Sequence, residues 1–139
     1  MNITVIDAQG GGIGKQIVSS IKKTYPEIDI TAIGTNGIAA SVMLKAGADR
    51  AASGENPLIV ACRKADVIIG PVGIVIADSL LGEVTEKMAV AVARSEAKKL
   101  LIPFNQCENV IVGVPDLSIK TLVSSLMTEI QKLVEGTVC

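Results

Sequence analysis

The chain has 139 residues, 49% of them apolar, and a net charge of −1. This length is enough for one domain with a buried core, and the missing basic surface argues against nucleic acid as a partner. The chain contains no histidine, which removes the commonest general base and most zinc chemistry. The longest apolar run, residues 67–77, is shorter than the ~20 residues of a membrane span. We therefore expect a cytoplasmic protein without a membrane partner.

Short apolar runs alternate with segments of helical apolar spacing along the chain. In chain order, the predicted elements are a strand at 2–6, a helix at 12–24, a strand at 28–33, a helix at 37–46, a strand at 50–52, a helix from Asn56–Pro57 to about 63, a strand at 66–69, a buried helix at 74–81, a helix at 84–94, strands at 100–103 and 110–112, and a last helix after Asp116. This alternation predicts one α/β domain over residues 1–139, a doubly wound, mostly parallel, Rossmann-like sheet of order 3-2-1-4-5 with helices on both faces.

A glycine-rich turn joins the first predicted strand to the first predicted helix. Glycine lets the backbone approach a ligand closely, and the helix that follows presents unpaired N–H groups and the positive end of its dipole. Such a turn suits a phosphate. The candidate ligand-binding residues here are Asp7, Gln9, Gly10, Gly11, Gly12, Ile13, Gly14 and Lys15.

Known phosphate-binding signatures fit this turn incompletely. The dinucleotide fingerprint GxGxxG aligns with Gln9, Gly11 and Gly14, so its first glycine is replaced, and the P-loop pattern fails at Gln9 and Gln16. The position between a strand and a helix favours the dinucleotide interpretation. The alternative is a purely structural turn that lets the helix pack on the sheet.

The second predicted strand ends in Gly34, Thr35 and Asn36, which complete the candidate site on that side. Dinucleotide-binding domains that select NAD carry an acid at this place, where it binds the ribose hydroxyls. No acid follows the strand here. A nicotinamide cofactor is therefore expected to be NADPH or to be bound with little preference.

Asp7 and a second glycine cluster have two interpretations each. Asp7 either caps the N–H groups of its own loop, which is favoured, or holds a magnesium ion or a substrate hydroxyl. Gly70, Pro71 and Gly73 follow another predicted strand. They form either the opposite wall of the ligand crevice or a proline-initiated helix start.

The three cysteines, Cys62, Cys107 and Cys139, form no CxxC pair, and no metal site is predicted. Cys62 is expected to be a buried thiol. Cys107 is only weakly supported as a nucleophile because no histidine can activate it, and a structural thiol is the favoured interpretation.

Several segments together resemble a family of short bacterial proteins to which no activity is assigned. The segments are residues 7–15, 34–36, Met43 to Ala48, Gly54 to Asn56 and Asn105 to Cys107. The family motif DGQGGGIG appears here with Ala8 in place of its first glycine. The resemblance implies a self-contained domain and supplies no catalytic residues.

These observations predict a domain that binds a nucleotide or dinucleotide, NAD(P) being the favoured type, with no reaction identified. One alternative is a non-catalytic ligand sensor or regulatory subunit. Another is a magnesium-dependent phosphoryl-transfer or phosphosugar enzyme that uses Asp7 and Lys15. The apolar segment Ile74 to Ala77 and the broad apolar stripe of the last helix predict a homodimer.

Overall fold

The computed structural model describes residues 1–104 and 109–136, and in it five parallel strands form one sheet. The strands are β1 (Asn2–Asp7), β2 (Asp29–Gly34), β3 (Arg50–Ser53), β4 (Val67–Pro71) and β5 (Lys98–Ile102). Their spatial order is β3-β2-β1-β4-β5, which confirms the predicted topology. The direction in which strands are added to the sheet therefore reverses at β1, which has β2 on one side and β4 on the other.

In the described part of the chain, five α-helices and one short 3₁₀-helix connect and follow the strands. They are α1 (Gly12–Thr24), α2 (Gly37–Lys45), α3 (Glu55–Lys64), the 3₁₀-helix Val72–Val75, α4 (Glu86–Arg94) and α5 (Ile119–Val134). Helix α1 contacts both α2 and α5, whereas α3 contacts α4. The helices therefore cover the sheet from both sides, as an apolar parallel sheet requires.

The alternation of side chains along β1 divides the core into two parts. Ile3 and Val5 are fully buried among side chains of α1, α2 and α5. Ile6 points to the other face, where it joins buried side chains of α3 and α4. Asp7, the last residue of the strand, belongs by this alternation to the α1 face, which places its carboxylate beside the glycine turn.

The segment after β4 differs from the predicted buried helix at 74–81. Only Val72–Val75 is helical, as a single 3₁₀ turn, and the backbone at Asp78, Leu80 and Leu81 has positive φ, which an α-helix excludes. The segment is apolar almost throughout because Ile74, in the 3₁₀ turn, and Leu80, in the irregular loop after it, are both buried. The next helix, predicted at 84–94, begins at Glu86, with the Thr85 hydroxyl as its cap.

Two smaller predictions are also wrong. Helix α3 begins at Glu55 with Gly54 at its N-cap, so Asn56 is not the cap residue. No strand forms at 110–112, where Val110 and Val112 are exposed. Cys107 and Cys139 lie outside the described residues.

The two apolar segments that predict a homodimer are largely buried within this chain. Ile74 is 1% exposed, and the α5 stripe is buried at Leu122, Leu126 and Ile130. The dimer stays a prediction without support from these two segments. Within the described part of the chain, no helix is long and apolar enough to cross a membrane.

Candidate functional site

The carboxyl ends of β1, β2 and β4 meet at one edge of the sheet. Asp7 pairs with Gly34 in the β1–β2 register, and the Thr35 N–H donates to the Asp7 carbonyl at 3.0 Å, which extends the pairing by one residue. The strand order reverses at β1, and open α/β sheets bind ligands in the crevice outside such a reversal. The loops after these three strands therefore define the candidate site.

The glycines of the first loop fall into two structural kinds. Gly11 has a φ of +74°, and a Cβ there would lie 3.0 Å from Ala39 Cα, while a Cβ on Gly14 would lie 3.0 Å from Asp7 Cβ. These two positions allow α1 to pack closely on α2 and the sheet. Gly10 and Gly12, in contrast, have nothing within 4 Å of an added Cβ. Their N–H groups enter no hydrogen bond within the described residues, so they remain available to a ligand.

The Asp7 carboxylate caps its own loop, as the favoured interpretation predicts. Its Oδ1 accepts from the Ala8 N–H at 2.8 Å, and its Oδ2 accepts from the Gly14 N–H at 2.7 Å. Burial raises the pKa of Asp7, and the hydrogen bonds from Gly14 and Ala8 oppose that rise without cancelling it. The charge of Glu83 raises this pKa further.

Glu83 is the principal site residue that sequence reasoning missed. Its Oε1 accepts three hydrogen bonds: from the Gln9 N–H at 2.9 Å, from Thr35 Oγ1 at 2.7 Å and from Asn36 Nδ2 at 2.7 Å. These donors belong to the loops after β1 and β2, whereas Glu83 belongs to the segment between β4 and α4. One carboxylate oxygen thus joins all three loops of the site.

The hydrogen bonds to Glu83 also fix its charge. Partial burial acts to raise the pKa of Glu83, but the donors Gln9, Thr35 and Asn36 outweigh it, so the pKa lies below its ordinary value. The site is therefore negative at this point at neutral pH. No local periodicity marks Glu83 in the sequence, because its contacts are with residues 47 to 74 positions away.

The second glycine cluster packs against β1 and against the start of the loop that follows the 3₁₀-helix. A Cβ on Gly70 would lie 2.5 Å from the Ile6 carbonyl oxygen, and one on Gly73 would lie 3.1 Å from Ser79 Oγ. Pro71 ends β4 and caps the 3₁₀-helix, which agrees with the helix-start interpretation. These residues support the loop that carries Glu83.

The remaining sequence-predicted site residues lie in the loops after β1 and β2 or in the first turn of α1. Gln9 and Lys15 are exposed, and Ile13 is partly buried against the core. Asn36 links the loops, since its Nδ2 also donates to the Gln9 carbonyl at 3.0 Å while its Oδ1 caps α2. Cys62 is buried far from this edge in α3, and burial raises the pKa of its thiol to about 11.

Two cavities lie away from this edge. One, of about 1060 Å³, lies between α3 and α4, and the other, of about 430 Å³, lies between α3 and the sheet. None of the sequence-predicted site residues lines either of them. The candidate site is accordingly defined by the exposed loops at the carboxyl edge, which Glu83 joins by hydrogen bonds.

The sheet order and the glycine turn define a Rossmann-like α/β domain. The chain belongs to the family described as Domain of unknown function (DUF3842), whose model matches residues 2–135. Among solved structures, it is similar to a dodecameric FMN-dependent Ubix-like decarboxylase from Escherichia coli O157:H7. That similarity has a TM-score of 0.48 at 12% identity and covers 94% of this chain and 95% of the other. No curated protein matches the chain.

Proposed function

We propose that this domain binds a nucleotide across the carboxyl ends of β1, β2 and β4. The proposal rests on one observation, the exposure of Gly10 and Gly12 and the open space beside them. Both are exposed, both have open space where a side chain would stand, and Gly12 begins the 13-residue helix α1. Backbone N–H groups at a helix N-terminus favour an anion, so a ligand phosphate is placed here.

The charges of the site favour a nucleotide over a bare polyphosphate. Asp7 occupies the Gly14 N–H, and Glu83 lies beside the Gln9 N–H, so the loop offers few donors next to two acidic side chains. A ligand that rests one phosphate on Gly12 and brings hydroxyl groups near the acids satisfies both kinds of group. Nicotinamide dinucleotides combine these parts, and we therefore propose NAD(H) or NADP(H) as the first ligands to test.

The magnesium-dependent alternative is less well supported by the geometry. Both oxygens of Asp7 accept backbone N–H groups of their own loop. Binding a metal ion through Asp7 would release at least one of these donors in a buried place, which is unfavourable. Lys15, the second residue of that hypothesis, is exposed at the start of α1.

Two exposed apolar side chains lie close in sequence to Asn36 and Glu83 and suit a nucleobase. Ile38 is 69% exposed and lies two residues after Asn36, and Leu81 is 92% exposed and lies two residues before Glu83. Since Asn36 and Glu83 are hydrogen-bonded to each other, the two apolar side chains project from joined segments. A base placed over them would remove apolar surface from water.

Calorimetric titration of the purified chain with NADH, NADPH, FMN and ATP tests the proposal. Gly12→Val introduces bulk into open space without strain, because Gly12 does not have a positive φ. It should weaken binding of whichever nucleotide the wild type takes by at least about tenfold, because the side chain blocks close approach of a phosphate.

The matched control is Ser19→Val, which places the same side chain on an exposed position of α1 two turns away. It should bind as the wild type does. The proposal is rejected if the wild type takes none of the four nucleotides, or if Gly12→Val and Ser19→Val bind equally well.

A further inference from the structure

The place where a dinucleotide ribose is normally selected holds an acid in this structure after all. The loops after β1 and β2 lie side by side, joined by the Thr35 N–H to the Asp7 carbonyl. A ligand whose phosphate rests on Gly12 extends its ribose toward the end of β2. The residues that end β2 carry no carboxylate, but Glu83 brings one to them from the segment before α4.

The carboxylate of Glu83 is oriented by its partners. All three described hydrogen bonds converge on Oε1, and no described hydrogen bond uses Oε2. A carboxylate oxygen accepts two hydrogen bonds readily. Oε2 is therefore able to accept from a hydroxyl of a bound ligand without giving up any contact that holds Glu83 in place.

The segment that carries Glu83 is anchored on both sides. Val84 and Leu80 are buried, and Thr85 Oγ1 donates to Glu55 Oε2 at 2.6 Å. Three consecutive residues before Glu83, at positions 80–82, have positive φ, which is uncommon for the two leucines among them. Packing of the neighbouring residues maintains this backbone, and its effect is to direct Glu83 across β1 to the end of β2.

No cation neutralises Glu83 among the described residues. The three described ion pairs join Lys22 with Asp49, Arg50 with Asp29, and Lys132 with Glu129. Asp7, the other acid of the site, supplies no positive charge, and the charge of Glu83 raises its pKa. A second phosphate brought to this point would be repelled, whereas a free hydroxyl would be bound.

We infer that Glu83 is the ribose-selecting residue of the nucleotide site, accepting a hydrogen bond from the ribose 2′-hydroxyl and excluding a 2′-phosphate. This inference rests on the proposed function. It also reverses the expectation drawn from Thr35 and Asn36 alone, because a nicotinamide ligand would then be NADH and not NADPH.

Three small probes test this inference by calorimetry: AMP, 2′-deoxy-AMP and adenosine 2′,5′-bisphosphate. The wild type should bind AMP at least about tenfold more tightly than the other two, since a site that bonds a hydroxyl discriminates against ligands lacking it. Glu83→Gln should reduce the gap between AMP and the bisphosphate to less than about threefold, because the repelling charge is gone. Glu86→Gln removes the same charge from an exposed position three residues on and should keep the full gap.

A second variant, Glu83→Asp, retains the charge and should retain discrimination against the bisphosphate. Equal wild-type binding of the three probes overturns the inference, as does an unchanged gap in Glu83→Gln or a loss of discrimination in Glu83→Asp. A uniform gain of affinity for all probes in Glu83→Gln overturns it too. Glu83 would then compete with the ligand for the N–H groups of the glycine turn and would not bind the ligand's ribose. If wild-type binding is undiscriminating yet sensitive to Gly12→Val, the proposed function stands and only this inference fails. If the wild type binds no probe and no larger nucleotide, both fail.

Discussion

Glu83 Oε1 lies 2.7 Å from Asn36 Nδ2 and joins two loops that are 47 residues apart in the sequence. Asn36 caps α2, so Glu83 is held by a residue that is itself fixed at a helix start. The same oxygen accepts from Gln9 of the glycine turn. This oxygen joins the loops after β1 and β2 to the segment before α4, and in the proposed site it positions the carboxylate that faces the ligand.

Glu83→Gln should destabilise the fold in a way that depends on pH. The hydrogen bonds lower the pKa of Glu83 from 4.5, so its stabilising contribution is fully present above that value and is lost as the pH falls through the folded pKa. We expect a difference of about 1 kcal/mol in unfolding free energy from wild type at pH 7. Urea unfolding at pH 7 and at pH 3.5 measures it. A difference of the same size at both pH values would contradict the assignment.

Asp7→Asn should show the opposite dependence. Burial raises the pKa of Asp7 above 3.8, so the folded state binds a proton at Asp7 more tightly than the unfolded state does. The free energy of unfolding therefore falls as the pH rises through the raised pKa. The stability of wild type relative to Asp7→Asn should therefore fall between pH 4 and pH 7. The exposed Asp116→Asn serves as the control and should show no such trend in the same unfolding series.

The two kinds of glycine in the loop should differ in stability. Gly14→Ala forces a methyl group against Asp7 and the buried Met43, which should lower the unfolding free energy by about 1–3 kcal/mol. Gly12→Ala enters open space at the first position of α1 and should stay within about 0.5 kcal/mol of wild type. Thermal unfolding of the two variants compares them. Equal effects would mean that Gly14 is not packed against Asp7 and Met43.

Cys62 should be slow to alkylate in the folded chain. Burial raises the pKa of its thiol to about 11, so at pH 8 only about a thousandth of it is thiolate. Iodoacetamide followed by peptide mass mapping reports modification of Cys62 separately from the other cysteines. Labelling at the same rate in native buffer and in urea would show that the thiol is not buried.

The sheet could be predicted from the sequence because its determinants are local. Strands β1, β2 and β4 are short apolar runs ended by a glycine or polar turn. The loop glycines and the spacing of Ile17, Val18 and Ile21 predict α1 at residues 12–24, as observed. Parallel strands joined by helices then leave few topologies. The order β3-β2-β1-β4-β5 follows from the same rules.

The segment between β4 and α4 could not be predicted in the same way. Ile74, Leu80 and Val84 are buried, and their spacing is compatible with a helix, yet the backbone between them takes left-handed turns. Glu83 finds its partners only after β1, β2 and β4 have come together. A candidate site predicted from the sequence therefore contains the glycine turn and Asp7 but lacks Glu83, which joins the three loops.

In the proposed binding mode the ligand lies at the carboxyl edge, over the glycine turn, and not in either cavity beside α3. Amide chemical-shift mapping of the ¹⁵N-labelled chain, titrated with NADH, tests it directly. The largest shifts should fall on Gly10, Gly12 and Thr35. Largest shifts on Arg63, Val90 and Ala97, which line the groove between α3 and α4, would contradict it.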